Sequence, residues 1–555
     1  MCWFALPFLV AGLAQAPFDV VLTNGRIVDG TGAAWFRGDI ALAGGKIVRM
    51  TPAGRLKDVP ATRRIDVGGK VVAPGFIDIQ SHSRAALLTG DGRVMSKVTQ
   101  GVTTEIMGEG ATNAPANEKT VSGMATLGRG VDGKIEFSGL RGFDEWLRAM
   151  EAHGSSVNFG SYVGASTIRM YVKGMTQGAP TAAETVEMQQ LVREAMKDGA
   201  FGLATALIYP PGEYATTEEL IALSQAMAPY GGVYITHMRS EGDQLLPAVD
   251  EAIRIGREGG VPVEIYHLKA GGKRNWPKMR EAIAKINAAR ARGEDVQADM
   301  YTYVAGGTGL TACFPPSASA DGFLFDNLKD PAKRKAIRAE IEHQTSAWEN
   351  LCELGGAENV LLLDLRKPEN QPYAGKRLAE VAKMMGKDWI ETAMDLVLSE
   401  RQRIGTVFFL MDEDNVQMQM REPWMKFGSD AEGANPDKPG SLTHPRAYGN
   451  FTRLLGKYVR EEKVMPLEEA IRKMTSATAT RLSLHDRGVL REGLVADVVV
   501  FNPATVADKA TFEKPHQVSV GVEYVFVNGV AVIDQGKHTG AMPGKIVRGP
   551  GYSQK

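Results

Sequence analysis

The spacing of apolar residues changes twice along the chain. Residues 18–73 run as short β-like stretches, in FDVVLTNGRIVDG, DIALAGGKIVRM and RRIDVGGKVVAP. Asn24-Gly25 and Gly44-Gly45 stand between them as hairpin signals flanked by β-branched residues. The same texture returns near the end in ADVVVFNPATV and GVEYVFVNGVAVIDQG, again around an Asn-Gly turn at Asn528-Gly529. Residues 17–73 and 481–555 are therefore expected to build one small β-sandwich from the two ends of the chain.

The middle follows a different rhythm. TAAETVEMQQLVREAMKDG opens with Thr181 and Glu184 in capping-box spacing, carries a helical apolar stripe and stops at Gly199. A strand, AFGLATALI, follows. TTEELIALSQAMAPYGG repeats the device with Thr216 and Glu219 before VYITHM, and DQLLPAVDEAIRIGREGG leads to VPVEIYHLK. Helices alternating with strands across short turns specify a parallel sheet of βα units. Over residues 74–480 the expected outcome is an α/β fold, a (β/α)8 barrel. Residues from about 310 to 366 break the rhythm and are expected to form an insertion or lid.

Composition narrows the function classes. The chain is 44% hydrophobic and 23% charged with a formal net charge of −1. Such a balance gives no electrostatic case for nucleic acid or an anionic membrane surface; a small-molecule substrate is expected, and oligomeric state stays open. Residues 1–16, MCWFALPFLVAGLAQA, are apolar and end in Ala14-Gln15-Ala16, a small-x-small cleavage pattern. They read as a signal peptide and predict export, with cytoplasmic residence as the alternative, because no Lys or Arg precedes the apolar run. Cleavage would leave Cys313 and Cys352, too few for a disulfide framework.

In a parallel barrel, chemistry collects where strands end. His82 follows GFIDI, Glu109 follows GVTTEIMG, His237 ends VYITH, His267 ends VEIYH, Tyr301 ends DVQADMY and Asp430 ends WMKFGSD. Three of only nine histidines fall at this rim. Two imidazoles on adjacent strands suit one cation, and neutral imidazole is the usual nitrogen ligand of zinc. Glu109, a carboxylate at a low-dielectric mouth, needs the partner that a cation supplies. Asp430 either caps the following helix or acts as the base. Strand alternation puts Asp78, Gln80 and His82 on one face, which resembles half of a metal-binding pair with its first ligand missing. Lys269, two residues past His267, leaves a minor option of a carboxylated-lysine ligand.

The ordered set VVAPGFID, QGVTTEIMGEG, ALIYPPGEYATTEEL, THMRSEGD, HLKAGG, FGSDAEG and HPRAYGNFTRLLG resembles the N-acyl-D-amino-acid deacylases (D-aminoacylases) of the amidohydrolase superfamily, over nearly the whole chain after the leader. The resemblance implies a metal-binding barrel joined to a β-sandwich. It implies a metal-dependent amidohydrolase, with zinc held by Glu109, His237 and His267 and with Asp430 as the base, assisted by His82. Tyr209, Tyr301 and Arg446 match substrate-binding positions. Three departures matter. GEG stands where the family usually has GNCG, so a carboxylate replaces a thiolate; zinc remains the expectation, with manganese or iron less excluded. Gln80-Ser81-His82 replaces His-x-His, which predicts one metal rather than two, with Arg84 deterring a second by charge. YTYVAGGT has Gly307 where a serine usually helps bind the acid. Two alternatives stay open: a cyclic amide (hydantoin or imide) hydrolase or dipeptidase, and a metal-depleted relative that binds a ligand without turnover.

Overall fold

A computed structural model describes residues 18–126, 142–343, 348–438 and 440–553. The expected signal peptide lies outside the described residues. Among the described residues, no helix is long and apolar enough to cross a membrane.

The two chain ends meet in a single nine-stranded sheet. Phe18–Ile27, Phe36–Ala43 and Lys46–Pro52 form an antiparallel meander, and Val71–Pro74 pairs both with Phe18–Ile27 and with Val498–Phe501 from the far end. Val522–Val527 and Val530–Asp534 complete the C-terminal side. The turn at Asn528 adopts φ +50°, the left-handed backbone that an Asn-Gly pair tolerates. One face of this sheet buries Leu22, Ile40, Ile65, Val72, Val498 and Phe526 as a core of its own.

Eight parallel strand positions follow: Phe76–Asp78, Val102–Met107, Asn158–Ser161 continuing as Val163–Gly164, Gly202–Ala206, Val233–His237, Val263–Ile265, Val296–Met300 and Met425–Phe427. Their ladders form a three-stranded and a six-stranded sheet, split where the third strand breaks at Tyr162. A parallel bridge from Ser81 to Ala431 links the last strand position to the first. The interior is filled by inward residues from successive strands, among them Ile77, Ile106, Tyr162, Ala204, Ile235 and Tyr266. Thr181 Oγ1 accepts from Glu184 N and Thr216 Oγ1 accepts from Glu219 N, so both predicted caps open their helices, Ala182–Lys197 and Thr217–Met227.

The expected insertion over 310–366 is part of a larger excursion between the last two barrel strands, residues 301–424. It carries its own antiparallel sheet of Gly306–Gly309, Gly405–Phe408 and Val360–Leu362. Two further helices, Leu378–Met385 and Trp389–Glu400, belong to it. The periodicity of these helices continues the barrel's, so the sequence pattern alone gives no sign of the boundary. Cys313 and Cys352 are joined by a disulfide that ties the two ends of the helical part together.

Candidate metal centre

Glu109, His237 and His267 converge at the C-terminal mouth of the barrel. Glu109 Oε1 lies 3.1 Å from His237 Nδ1 and 3.5 Å from His267 Nε2, and the two imidazole rings are 4.5 Å apart at 85°. His82 and Asp430 adjoin them: His82 Nε2 is 2.8 Å from Asp430 Oδ1 and 3.4 Å from Glu109 Oε2. Two three-residue groups therefore have ligand atoms within 4.8 Å of one another, Glu109–His237–His267 and His82–Glu109–Asp430.

The first group fits a cation. It offers two imidazoles and a carboxylate, all largely buried, and His237 Nε2 is buried with no hydrogen-bond partner. Its surroundings also favour positive charge. Burial and Lys269 pull His267 down, yet Glu241, Asp430 and Glu109 prevail and raise it to about 10. Burial opposes protonation of His82 as well, but hydrogen bonds to Asp430 and Glu109 raise it to about 9. A site that holds protons this firmly exchanges them for a metal ion when one binds.

Backbone geometry marks the same residues. His267 and Asp430 sit at φ +34° and +47°, in the left-handed region that costs a non-glycine residue on the order of 1 kcal/mol or more. His267 N is held by Asp299 Oδ1 at 2.9 Å, and Asp430 N by the Gln80 carbonyl at 2.8 Å. The turn carrying Asp430 is fixed from below by Asp78, whose two oxygens accept from Ser429 N (2.8 Å) and Ser429 Oγ (2.5 Å). Asp78 is itself paired with the fully buried Lys97.

Of the residues expected to share one face, Gln80 and His82 both meet Glu109 Oε2, and only Asp78 turns away. Asp78 turns to Lys97, His82 also bonds Asp430, and Gln80 donates its Nε2 to Glu109 Oε2 at 2.6 Å. The cation that meets Asp430 is Arg446 rather than Arg84. Its Nη1 lies 2.7 Å from Asp430 Oδ2, a close charge contact whose angle falls short of a hydrogen bond. Burial pushes Asp430 up, but Arg446, His267 and His82 together hold it below the ordinary carboxylate value. Arg84 instead donates to the Ala111 carbonyl.

Lys269 is an ammonium pinned 2.6 Å from Glu241 Oε1 and 2.8 Å from His267 Nδ1, the ring nitrogen away from Glu109. Glu241 Oε1 also lies 2.9 Å from His267 Nδ1, placed to accept the N–H that leaves Nε2 free towards Glu109, and Lys269 neutralises that carboxylate. Glu241 was not singled out from the sequence; lying four residues past His237 in THMRSEGD was its one signal. Glu349, from the excursion, was also missed. Its Oε2 accepts from Ser240 Oγ (2.5 Å), Glu241 N (2.8 Å) and Gly242 N (2.7 Å). Burial, with Glu241 adding to it, raises Glu349 to about 7.

His82, Glu109, His237, Glu241, His267, Lys269, Glu349 and Asp430 open into one cavity of about 520 Å³, also lined by Tyr209, Tyr301, Arg403 and Arg446. Tyr209 packs edge-on to His237 at 5.3 Å, and Arg446 lies over the buried Tyr301 ring at 4.5 Å. His444 is buried against the Ala305 carbonyl, kept neutral by burial and by Arg446, and accepts from Arg446 N.

A model of the amidohydrolase family matches residues 374–533. The D-aminoacylase of Alcaligenes xylosoxydans xylosoxydans is 37% identical over 534 residues, covering 96% of this chain and 98% of that protein. An N-acyl-D-glutamate deacylase from Bordetella bronchiseptica, solved with zinc and a phosphonate mimic of the tetrahedral intermediate, superposes with a TM-score of 0.80 at 32% identity, covering 96% of this chain and all of that one. A D-aminoacylase structure described by one-metal activation and second-metal attenuation of a binuclear centre gives a TM-score of 0.80 at 35% identity, with the same coverage.

Proposed function

Because this chain belongs to the D-aminoacylase family of metal-dependent amidohydrolases, we propose that it hydrolyses N-acyl-D-amino acids to a carboxylate and a free D-amino acid. The observation that carries the reading is the convergence of Glu109, His237 and His267 beside Asp430 in one cavity.

Glu109, His237 and His267 would hold the cation. When bound, a divalent metal polarises the amide carbonyl and lowers the pKa of a water molecule towards neutrality. Asp430, kept ionised by Arg446 and by its hydrogen bond to His82, takes the proton of the attacking water. It returns that proton to the leaving nitrogen as the C–N bond breaks. His82 fixes the carboxylate on which both transfers depend. Arg446, largely buried, presents a planar fork suited to the substrate carboxylate. Tyr301 backs that guanidinium with its ring face, and Tyr209 walls the cavity beside His237.

We assign one zinc per chain. Gln80 places an amide N–H, not an imidazole, against Glu109, and Arg446 already answers the charge of Asp430; both support a single cation. We further assign the protein to an exported, oxidising location, a reading supported by the Cys313–Cys352 disulfide, since such bonds persist mainly outside the cytosol.

A screen of metal-loaded protein against N-acetyl amino acids of both hands, dipeptides and dihydrouracil tests the proposal. Cleavage confined to D-configured N-acyl substrates is expected. Preference for dipeptides or the cyclic amide would refute it.

A further inference from the structure

Three cations of the cavity wall are matched by acids, and Arg84 is turned to the Ala111 carbonyl. Lys269 faces Glu241, Arg446 faces Asp430 and Arg366 faces Asp364. Arg403 also lines the cavity and is half-buried, yet among the described residues it takes part in no ion pair. Its guanidinium donates to the Thr308 hydroxyl and lies 5.4 Å from the centre of the Tyr209 ring.

This position is built rather than incidental. The strand Gly306–Gly309 runs along the wall, and a Cβ at Gly309 would stand 2.4 Å from Arg403 Nε, so only glycine leaves room for the side chain there. Thr308 Oγ1, the group that Arg403 grips, is 2.6 Å from the Tyr209 hydroxyl. Two residues back from Gly309, Gly307 gives its carbonyl to Arg446 Nη2 at 3.0 Å, and a Cβ there would stand 3.3 Å from that nitrogen. One short strand therefore carries two guanidiniums. Arg446 sits on the Asp430 side, and Arg403 lies beside the Tyr209 ring, which also packs against His237. A half-buried cation without a counter-charge attracts an anionic group, and a guanidinium fork fits a carboxylate.

We infer that the preferred substrate carries a second carboxylate besides the α-carboxylate, and that Arg403 with Thr308 and Tyr209 forms the subsite that binds it. This rests on the N-acyl-D-amino acid reading above. The second carboxylate has two chemical sources, an acidic side chain or a dicarboxylic acyl group, and both place an anion a few bonds from the scissile amide.

Three substrates separate these cases on the metal-loaded full chain: N-acetyl-D-leucine, N-acetyl-D-glutamate and N-succinyl-D-leucine. At least one dianion is expected to exceed N-acetyl-D-leucine by about tenfold or more in kcat/KM, mainly through KM; which one does so identifies the source. Arg403→Leu, checked for unchanged circular dichroism and metal content, should lower that ratio by about tenfold or more, and Arg403→Lys by less. Thr308→Val should move the ratio the same way by releasing the guanidinium. The inference is overturned if N-acetyl-D-leucine is cleaved as well as either dianion, or if Arg403→Leu leaves the ratio unchanged. Failure to cleave any of the three would instead overturn the reading beneath it.

Discussion

Replacing Lys97 with methionine probes how the fold aims its acid–base group. Lys97 is fully buried, and its Nζ bonds Asp78 Oδ2 at 2.8 Å, Ser429 Oγ at 2.6 Å and the Ala431 carbonyl at 2.8 Å, with Glu105 Oε1 at 3.2 Å. Methionine has similar volume, so the loss is electrostatic rather than a cavity. Two carboxylates would remain in the interior without a counter-charge. Burial and Asp78 already push Glu105 above its ordinary value despite Lys97, so Glu105 would take up a proton and Asp78 would bear most of the penalty. Breaking a buried pair from one side costs on the order of 3–5 kcal/mol. That is a large fraction of the ~5–15 kcal/mol that holds a typical native domain. The same change frees the Ser429 turn, so turnover should fall along with stability while the Glu109–His237–His267 group keeps its metal. Urea unfolding followed by circular dichroism reads the first effect, and elemental analysis the last. Adding Asp78→Asn to Lys97→Met should recover part of the stability, because the stranded charge is removed. An unchanged unfolding midpoint in Lys97→Met, or no recovery in the pair, would refute the reasoning.

Three further outcomes follow from the same geometry. Asp430→Asn should lower kcat by about 10²–10⁴-fold with metal content intact, and near-normal turnover would remove Asp430 from its role. Glu349 titrates near 4.5 in the unfolded chain and near 7 when folded. The folded state therefore binds more protons between those values, and stability falls as pH rises through that window, by about 3 kcal/mol in all. Glu349→Gln should flatten this part of a melting-temperature profile, and an unaltered profile would exclude Glu349 as its source. Gln80→His replaces the amide that caps Glu109 with an imidazole beside the His82–Glu109–Asp430 group, and should raise bound metal above the parent value when measured by elemental analysis at saturating zinc.

The rim of the barrel was legible because strand ends obey a positional rule: Glu109, His237, His267 and Asp430 each follow an apolar run that had to be a strand. The residues that hold them were not. Lys97 lies on a short helix with no charge pattern to distinguish it from a surface lysine, and only the folded chain brings it to Asp78 and Ser429. Alternation along a strand placed Gln80 beside His82, and both reach Glu109 Oε2, but the regular strand ends at Asp78, which turns to Lys97 instead. Glu349 and Arg403 come from the long excursion, whose contact with the barrel joins residues more than one hundred positions apart. No local periodicity encodes such contacts. The Cys313–Cys352 bond was hidden for the same reason, since two cysteines in a sequence carry no information on their distance.

The most direct measurement is the metal content of the purified protein, taken by elemental analysis for the parent, Glu109→Ala and His237→Ala. One equivalent of zinc in the parent, and well under a tenth of that in both variants at matched circular dichroism, is the result this account predicts. Full metal retention in either variant would contradict it, because the ion would then be held somewhere other than between these three side chains.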